Sequence, residues 1–198
     1  MSDLALIMAL PNESKGLFEA EGIQVNYSGI GKVNAAFKAF EVIQNTGCST
    51  LLNLGSAGSS HFNAHELVEV TQFVQRDMDV SPLGFEVGMT PMDQHFPGAI
   101  ELESFFDHLP KGICGTGDSF ETGISKVACN LVDMEGYSQT TLLFIQDSKK
   151  TRNNSSTESI NHSLRLRLTH AHMCSIGFKS GLYAGSQRIL CPCCSNNS

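Results

Sequence analysis

Short apolar runs that end in small-residue turns and give way to helical periodicity recur from Leu4 to Tyr137. This alternation constrains the fold more than any other feature. Leu4 to Leu10 has the form of a buried strand, and Asn12 is placed to cap a helix through Ala20, with Glu13 in its first turn. Ile23 to Tyr27 alternates as a strand and Ser28-Gly29-Ile30-Gly31 makes a tight turn. Val33, Ala36, Phe37, Phe40 and Ile43 then fall at helical spacing. Thr50 to Leu54 predicts a strand ending in a turn at Gly55-Ser56-Ala57-Gly58, and Leu67 to Val74 a further strand. A loop from Ser81 to Pro91, a helix over Ala99 to His108, and strands at Gly112 to Gly115 and Val127 to Val132 follow. Strands alternating with helices predict an α/β fold with a largely parallel sheet.

With 198 residues the chain has the length of one domain, enough to bury roughly 70% of its unfolded surface. At 41% hydrophobic and 17% charged residues it lacks the composition of a disordered chain. A net charge of -7 argues against a surface that wraps nucleic acid or anionic lipid. No apolar run approaches the roughly 18 residues a membrane helix needs, and Met1-Ser2-Asp3 lacks a basic leader, so a soluble, cytoplasmic protein is expected.

The average charge conceals a seam. Residues 1–137 carry 6 Lys+Arg against 18 Asp+Glu, whereas 138–198 carry 7 against 2. Such asymmetry marks a tail or second module. Thr141 to Ile145 suggests one more strand, Asp147 to Ser163 a loop, and Leu164 to Leu168 an exposed strand. Two units are therefore expected, 1–137 and a divergent segment at 138–198.

Gly29-Ile30-Gly31 lacks the third glycine of a dinucleotide fingerprint, and Val33 stands where a phosphate loop needs Ser or Thr. A tight strand-to-helix turn accounts for the same residues. Gly55-Ser56-Ala57-Gly58 has the wrong spacing for a nucleophile elbow, but its small residues let backbone N–H groups approach a ligand. Glu13, Asp118, Asp133 and Glu135 each follow a predicted strand, the edge where α/β sheets place their ligand crevice. Singly each is a solvated loop acid; together they suggest a polar site.

Ala9-Leu10-Pro11-Asn12-Glu13, Ser28-Gly29-Ile30-Gly31-Lys32-Val33-Asn34-Ala35-Ala36, Asn53-Leu54-Gly55-Ser56-Ala57-Gly58, Gly117-Asp118-Ser119-Phe120 and Val132-Asp133-Met134-Glu135-Gly136-Tyr137 stand in one order. These segments resemble the 5′-methylthioadenosine/S-adenosylhomocysteine nucleosidases of the nucleoside phosphorylase superfamily, over residues 4–137. The resemblance implies a three-layer α/β/α sandwich around a mixed, largely parallel sheet, incomplete at its C-terminus. It also implies hydrolysis of the N-glycosidic bond to release adenine, without cofactor or metal, in a homodimer. By the same resemblance Glu13 activates the attacking water, and Ser56 and Gly58 line the ribose and water pocket. Phe120 stacks on the purine, and Met134 and Glu135 hold the ribose, Glu135 through its hydroxyls. Leu83 and Phe85, in the Asp77 to Gly88 loop, are implied to reach a partner's 5′-substituent pocket.

These residue types suit the chemistry. Glycosidic cleavage passes through an oxocarbenium-like sugar, which a carboxylate on the ribose hydroxyls binds more tightly as charge develops. General acid or base assistance contributes roughly 10²–10⁴-fold. The phosphorylases of the resembled superfamily bind phosphate with arginines, and Arg76 is the only arginine here before residue 152, so the resemblance implies hydrolysis over phosphorolysis. A phosphorylase, or a nucleosidase for another purine nucleoside, stays open, since Glu121 follows Phe120 where the resembled proteins have an apolar residue.

The resemblance stops after Tyr137. The general acid sits in a Ser-Asp pair on the next strand of the resembled proteins, and no Ser-Asp pair occurs here after residue 3. A change of reading frame just after Tyr137 accounts for this, and predicts a sheet that lacks a central strand. The chain would then be an inactive nucleoside-binding remnant. The competing expectation is a metal-binding tail, with His170, His172, Cys174, Cys191, Cys193 and Cys194 as ligands, although their spacing matches no known structural zinc site.

Overall fold

The computed structural model describes residues 4–93, 95–121, 123, 125–153 and 167–177, with backbone alone for 147–153 and 167–177. In chain order the elements are β1 (Leu4–Met8), α1 (Pro11–Ser14), α2 (Leu17–Ala20), β2 (Val25–Tyr27), α3 (Lys32–Thr46), β3 (Thr50–Ser59), β4 (Leu67–Gln75), a 3-10 turn (Ser81–Leu83), β5 (Ile100–Glu101), β6 (Lys111–Thr116), β7 (Leu131–Asp133), α4 (Gly136–Asn153) and β8 (Arg167–Gly177). The fold is α/β around a mixed, mostly parallel sheet of order β2-β1-β3-β7-β6-β4-β5, with β8 pairing both β3 and β4. β1 runs parallel to β2 and β3, and β6 parallel to β4 and β7. β3 meets β7 antiparallel at Gly58 and Val132. These pairings close a ring of β3, β8, β4, β6 and β7.

Two cores follow. The first joins Ala57, Val68, Val70, Phe73, Cys114 and Leu131 of the ring strands to Ile100 of β5 and Tyr137 of α4. Ala5, Ile7 and Leu51 of the sheet pack against Ala39, Val42 and Ile43 of α3 and Leu143 of α4. Fully burying such aliphatic side chains contributes roughly 1.5–3 kcal/mol each.

Several local expectations are corrected. The helix expected over Asn12 to Ala20 is broken in two, because Lys15 and Gly16 adopt left-handed backbone at φ 50° and 74°. Leu10, not Asn12, is the N-cap, and Pro11 opens the helix where its missing N–H costs nothing. The buried face of α3 is Ala35, Ala39, Val42 and Ile43. Val33, Phe37 and Phe40, chosen by apolar periodicity, face solvent. Gly55 to Gly58 is no turn: β3 runs through it, because β8 and β7 pair with its flanks. The Ala99 to His108 segment is β5 followed by irregular backbone. There the Glu69 carboxylate accepts from the amides of Phe105 and Phe106, the hydroxyl of Ser104 and the ammonium of Lys111.

Thr141 to Ile145 is helix, not strand. Asp133 caps α4 by accepting from Gly136 N at 2.8 Å, and the hydroxyls of Thr140 and Thr141 donate back to the carbonyls of Gly136 and Tyr137. The charge seam thus falls inside a continuous helix. The gap expected in the sheet is filled by the backbone of β8, which pairs with β3 from Thr50 to Ser59 and with β4 from Leu67 to Val70. Leu168 belongs to β8, while Leu164 to Leu166 and the Cys191 to Cys194 cluster lie outside the described residues.

Candidate active site

Glu13 sits just past β1, in the four-residue helix α1, and its carboxylate is fixed from both sides. Oε2 accepts from the N–H groups of Ala9, at 3.0 Å, and Leu10, at 2.9 Å. Oε1 accepts from the Ser56 N–H at 2.8 Å and from the Ser56 hydroxyl at 2.7 Å. The turn after β1 is thereby tied to the middle of β3. Ser56 is exposed. Gly58, two residues on, lies against Val132, whose Cγ2 is 3.0 Å from where a Cβ would stand.

Glu135 follows β7. Its Oε1 accepts from Gly31 N at 2.9 Å and its Oε2 from Met134 N at 3.2 Å. Gly31 precedes α3 at φ 97°, left-handed backbone that glycine tolerates best, so its N–H can point at the acid. Burial, the Asp133 charge and, more weakly, Glu13 push the Glu135 carboxyl up to about 7. Such a shift, on a group at a strand end, is a mark of functional sites.

Asp118 holds the same helix end. Its Oδ1 accepts from Lys32 N at 2.7 Å, and its own N–H donates to Asp77 Oδ2 at 2.8 Å. Lys32 Nζ lies 2.7 Å from Asp77 Oδ1 and 3.8 Å from Asp118 Oδ2. Burial alone would raise the Asp77 carboxyl, but Lys32 and the Asp118 amide hold it below its ordinary value. Two carboxylates, Glu135 and Asp118, thus meet the N-terminus of α3, where the helix dipole favours negative charge. Ile30, Gly31, Lys32, Val33, Asn34, Asp118 and Met134 line an open cleft of about 290 Å³ beside Glu135.

The structure brings Glu13 together with Ser56, and Met134 and Glu135 with Gly31. It leaves Phe120 72% exposed, two residues beyond the cleft-lining Asp118. Leu83, 71% exposed, ends the 3-10 turn, and Phe85 lies just past it at 40%. Neither lines the cleft. Sequence reasoning missed Asp77 and the pairing role of Lys32; the only available signal was a charged pair, Arg76-Asp77, directly after a strand. Among the described residues no group of three or more His, Cys, Asp or Glu is placed to hold a metal, and no helix is long and apolar enough to cross a membrane. The side chains of His170, His172 and Cys174 are not among those described.

A mixed, mostly parallel sheet thus defines an α/β protein in which Asp118 and the glycine-preceded end of α3 line one cleft, with Glu135 beside it. The chain belongs to the phosphorylase superfamily, whose profile matches residues 14–138. Over 127 residues it is 31% identical to the 5′-methylthioadenosine/S-adenosylhomocysteine nucleosidase of Bacillus cytotoxicus, a match covering 58% of this chain and 55% of the relative. The corresponding protein of Bacillus licheniformis is 32% identical with the same coverage. The matched stretch thus spans about half the length of these relatives. In fold the chain is similar to the Campylobacter jejuni 5′-methylthioadenosine/S-adenosyl homocysteine nucleosidase (TM-score 0.67, 21% identity, 93% of this chain and 89% of that one). It is also similar to the native Helicobacter pylori futalosine hydrolase (TM-score 0.66, 20% identity, 87% and 86%).

Proposed function

We propose that the site is that of a purine nucleosidase, acting on methylthioadenosine or adenosylhomocysteine by hydrolysis. The observation that carries this reading is the pair of anchored carboxylates. Glu135, beside the cleft, accepts from the ribose hydroxyls, and Glu13, locked to Ser56, orients and activates the water. Phe120 stacks on the base once the ligand orders it, and Met134 and Gly58 bound the sugar. Leu83 and Phe85 extend toward the 5′-substituent site of a second copy. The solvent-facing Ile30, Val33 and Phe37 beside the cleft support that dimer. The setting is methionine salvage in the cytoplasm. Hydrolysis is favoured over phosphorolysis because Arg76, the only arginine before residue 152, is engaged by Gly115, Gly117, Ser119 and Glu121.

Turnover by this chain is slow, because no aspartate stands in β8 to protonate the departing purine. With protein in excess over methylthioadenosine and no phosphate present, adenine release should be measurable. Glu13→Gln should reduce it by roughly 10²–10⁴-fold while nucleoside binding persists. Release that depends on phosphate, or an equal rate in Glu13→Gln, would overturn this mechanism. The segment after Tyr137 reads as the product of a frame change, a reading supported by the Gln139 amide, which is buried with no hydrogen-bond partner. Translating the coding DNA in all three frames tests it: another frame should restore an apolar helix and a strand bearing Ser-Asp, and the idea fails if none does.

A further inference from the structure

Arg76 follows directly on β4, its N–H donating to the Thr116 carbonyl at the end of β6, and its guanidinium is almost completely buried, with the side chain 4% exposed. A buried guanidinium costs several kcal/mol unless its donors are taken up. Here they are taken up by a single segment. Nε donates to the Gly115 carbonyl at 3.2 Å, Nη2 to the carbonyls of Gly117, at 3.1 Å, and Ser119, and Nη1 to the Ser119 hydroxyl at 3.2 Å and to Glu121 Oε2 at 3.5 Å. Three alternate carbonyls therefore wrap one planar cation. The wrap needs small residues: a Cβ on Gly117 would stand 2.9 Å from Arg76 Cζ and 3.1 Å from Nη1. The wrapped segment carries Asp118, which lines the cleft and caps α3, and Phe120. Glu121, anomalous in sequence, is accounted for as the acid that faces Arg76.

We propose that Arg76 is the positioning residue of the base-binding segment, setting where Phe120 meets a purine without itself touching ligand; this rests on the nucleosidase reading above. The planar fork is what the role requires. Lysine keeps the charge but gathers its three donors on one nitrogen, which cannot span three carbonyls as the planar fork does. Glu135 takes its hydrogen bonds from Gly31 and Met134 and none from Arg76, and the wrapped segment reaches the sugar half only through Asp118, which accepts from Lys32 N.

The test measures binding of two probes to the full chain, 2-aminopurine riboside and methyl β-D-ribofuranoside, by titration calorimetry. Arg76→Lys and Gly117→Ala perturb the same contact from opposite sides, and melting curves establish that each variant folds. In either folded variant the base-bearing probe should bind roughly ten-fold or more weakly, a misplacement effect, while the sugar-only probe changes by less than about two-fold. Equal losses for both probes, or no loss for either, would overturn the positioning role. Failure of both variants to fold would assign Arg76 to structure alone and overturn it too. If the unsubstituted chain binds neither probe, the nucleosidase reading itself falls, and the proposal with it.

Discussion

Raising the pH from 4 to 8 should destabilise this protein through Glu135, and Glu135→Gln should remove that dependence. The carboxyl is half-buried beside Asp133 and within range of Glu13, and its two amide donors, Gly31 and Met134, do not offset the cost of charging it. It therefore titrates at about 7 in the folded chain against an ordinary 4.5. Below the ordinary value both folded and unfolded states hold the proton, and stability is at its full level. Between the two values only the folded state holds it, so each rise in pH favours the unfolded chain. Above about 7 the loss is complete. At ~1.36 kcal/mol per unit, the difference amounts to about 3 kcal/mol. Urea unfolding at a series of pH values, with unsubstituted protein and Glu135→Gln in parallel, reads this directly. The difference between the two should change by about 3 kcal/mol from acid to neutral pH, all of it in the window from 4.5 to 7. A difference that stays flat across that window would refute the argument that burial and like charge govern this carboxyl. So would stability that rises with pH only in the unsubstituted chain.

Two substitutions probe the helix that crosses the charge seam. Gln139 is fully buried with both amide atoms unpartnered, so Gln139→Leu should raise the unfolding free energy by about 2 kcal/mol; an unchanged or lowered denaturation midpoint would contradict this. Gly136→Ala should act in the opposite sense. The added methyl would sit 2.6 Å from Phe73 Cζ and 2.8 Å from Asp133 Oδ2, which predicts a loss of about 1–3 kcal/mol in the same assay.

Much of the first two thirds is legible in the sequence, for local reasons. β1, β2, β4 and β6 are short apolar or alternating runs, and α3 has helical periodicity after a glycine turn; a run of that kind forms the same element wherever it packs. The polar residues at strand ends were also visible, because an α/β sheet delivers them to one edge. Glu13 with Ser56, and Glu135 with Met134, are held there. What was not legible depends on partners distant in sequence. Thr141 to Ile145 has strand propensity, yet Asp133 and Thr116 start a helix at Gly136 and Tyr137, and helix continues through it. Ala99 to His108 has helical spacing, but the buried Glu69 takes the amides of Phe105 and Phe106, which a helix would pair with carbonyls four residues earlier.

Sequence alone thus determined the α/β class and the succession of β1, β2, α3, β3, β4 and β6, because periodicity and turn chemistry act over a few residues. Only the tertiary structure decided which face of α3 is buried, how β8 closes the ring between β3 and β4, and that Arg76 underlies the segment bearing Phe120. Each of these turns on which surfaces and charges meet across tens of residues. Apolar spacing cannot tell the core face, Ala35, Ala39, Val42 and Ile43, from the solvent face, Val33, Phe37 and Phe40, until a sheet is there to bury one of them. A buried arginine likewise acquires its role only from the carbonyls that fold around it.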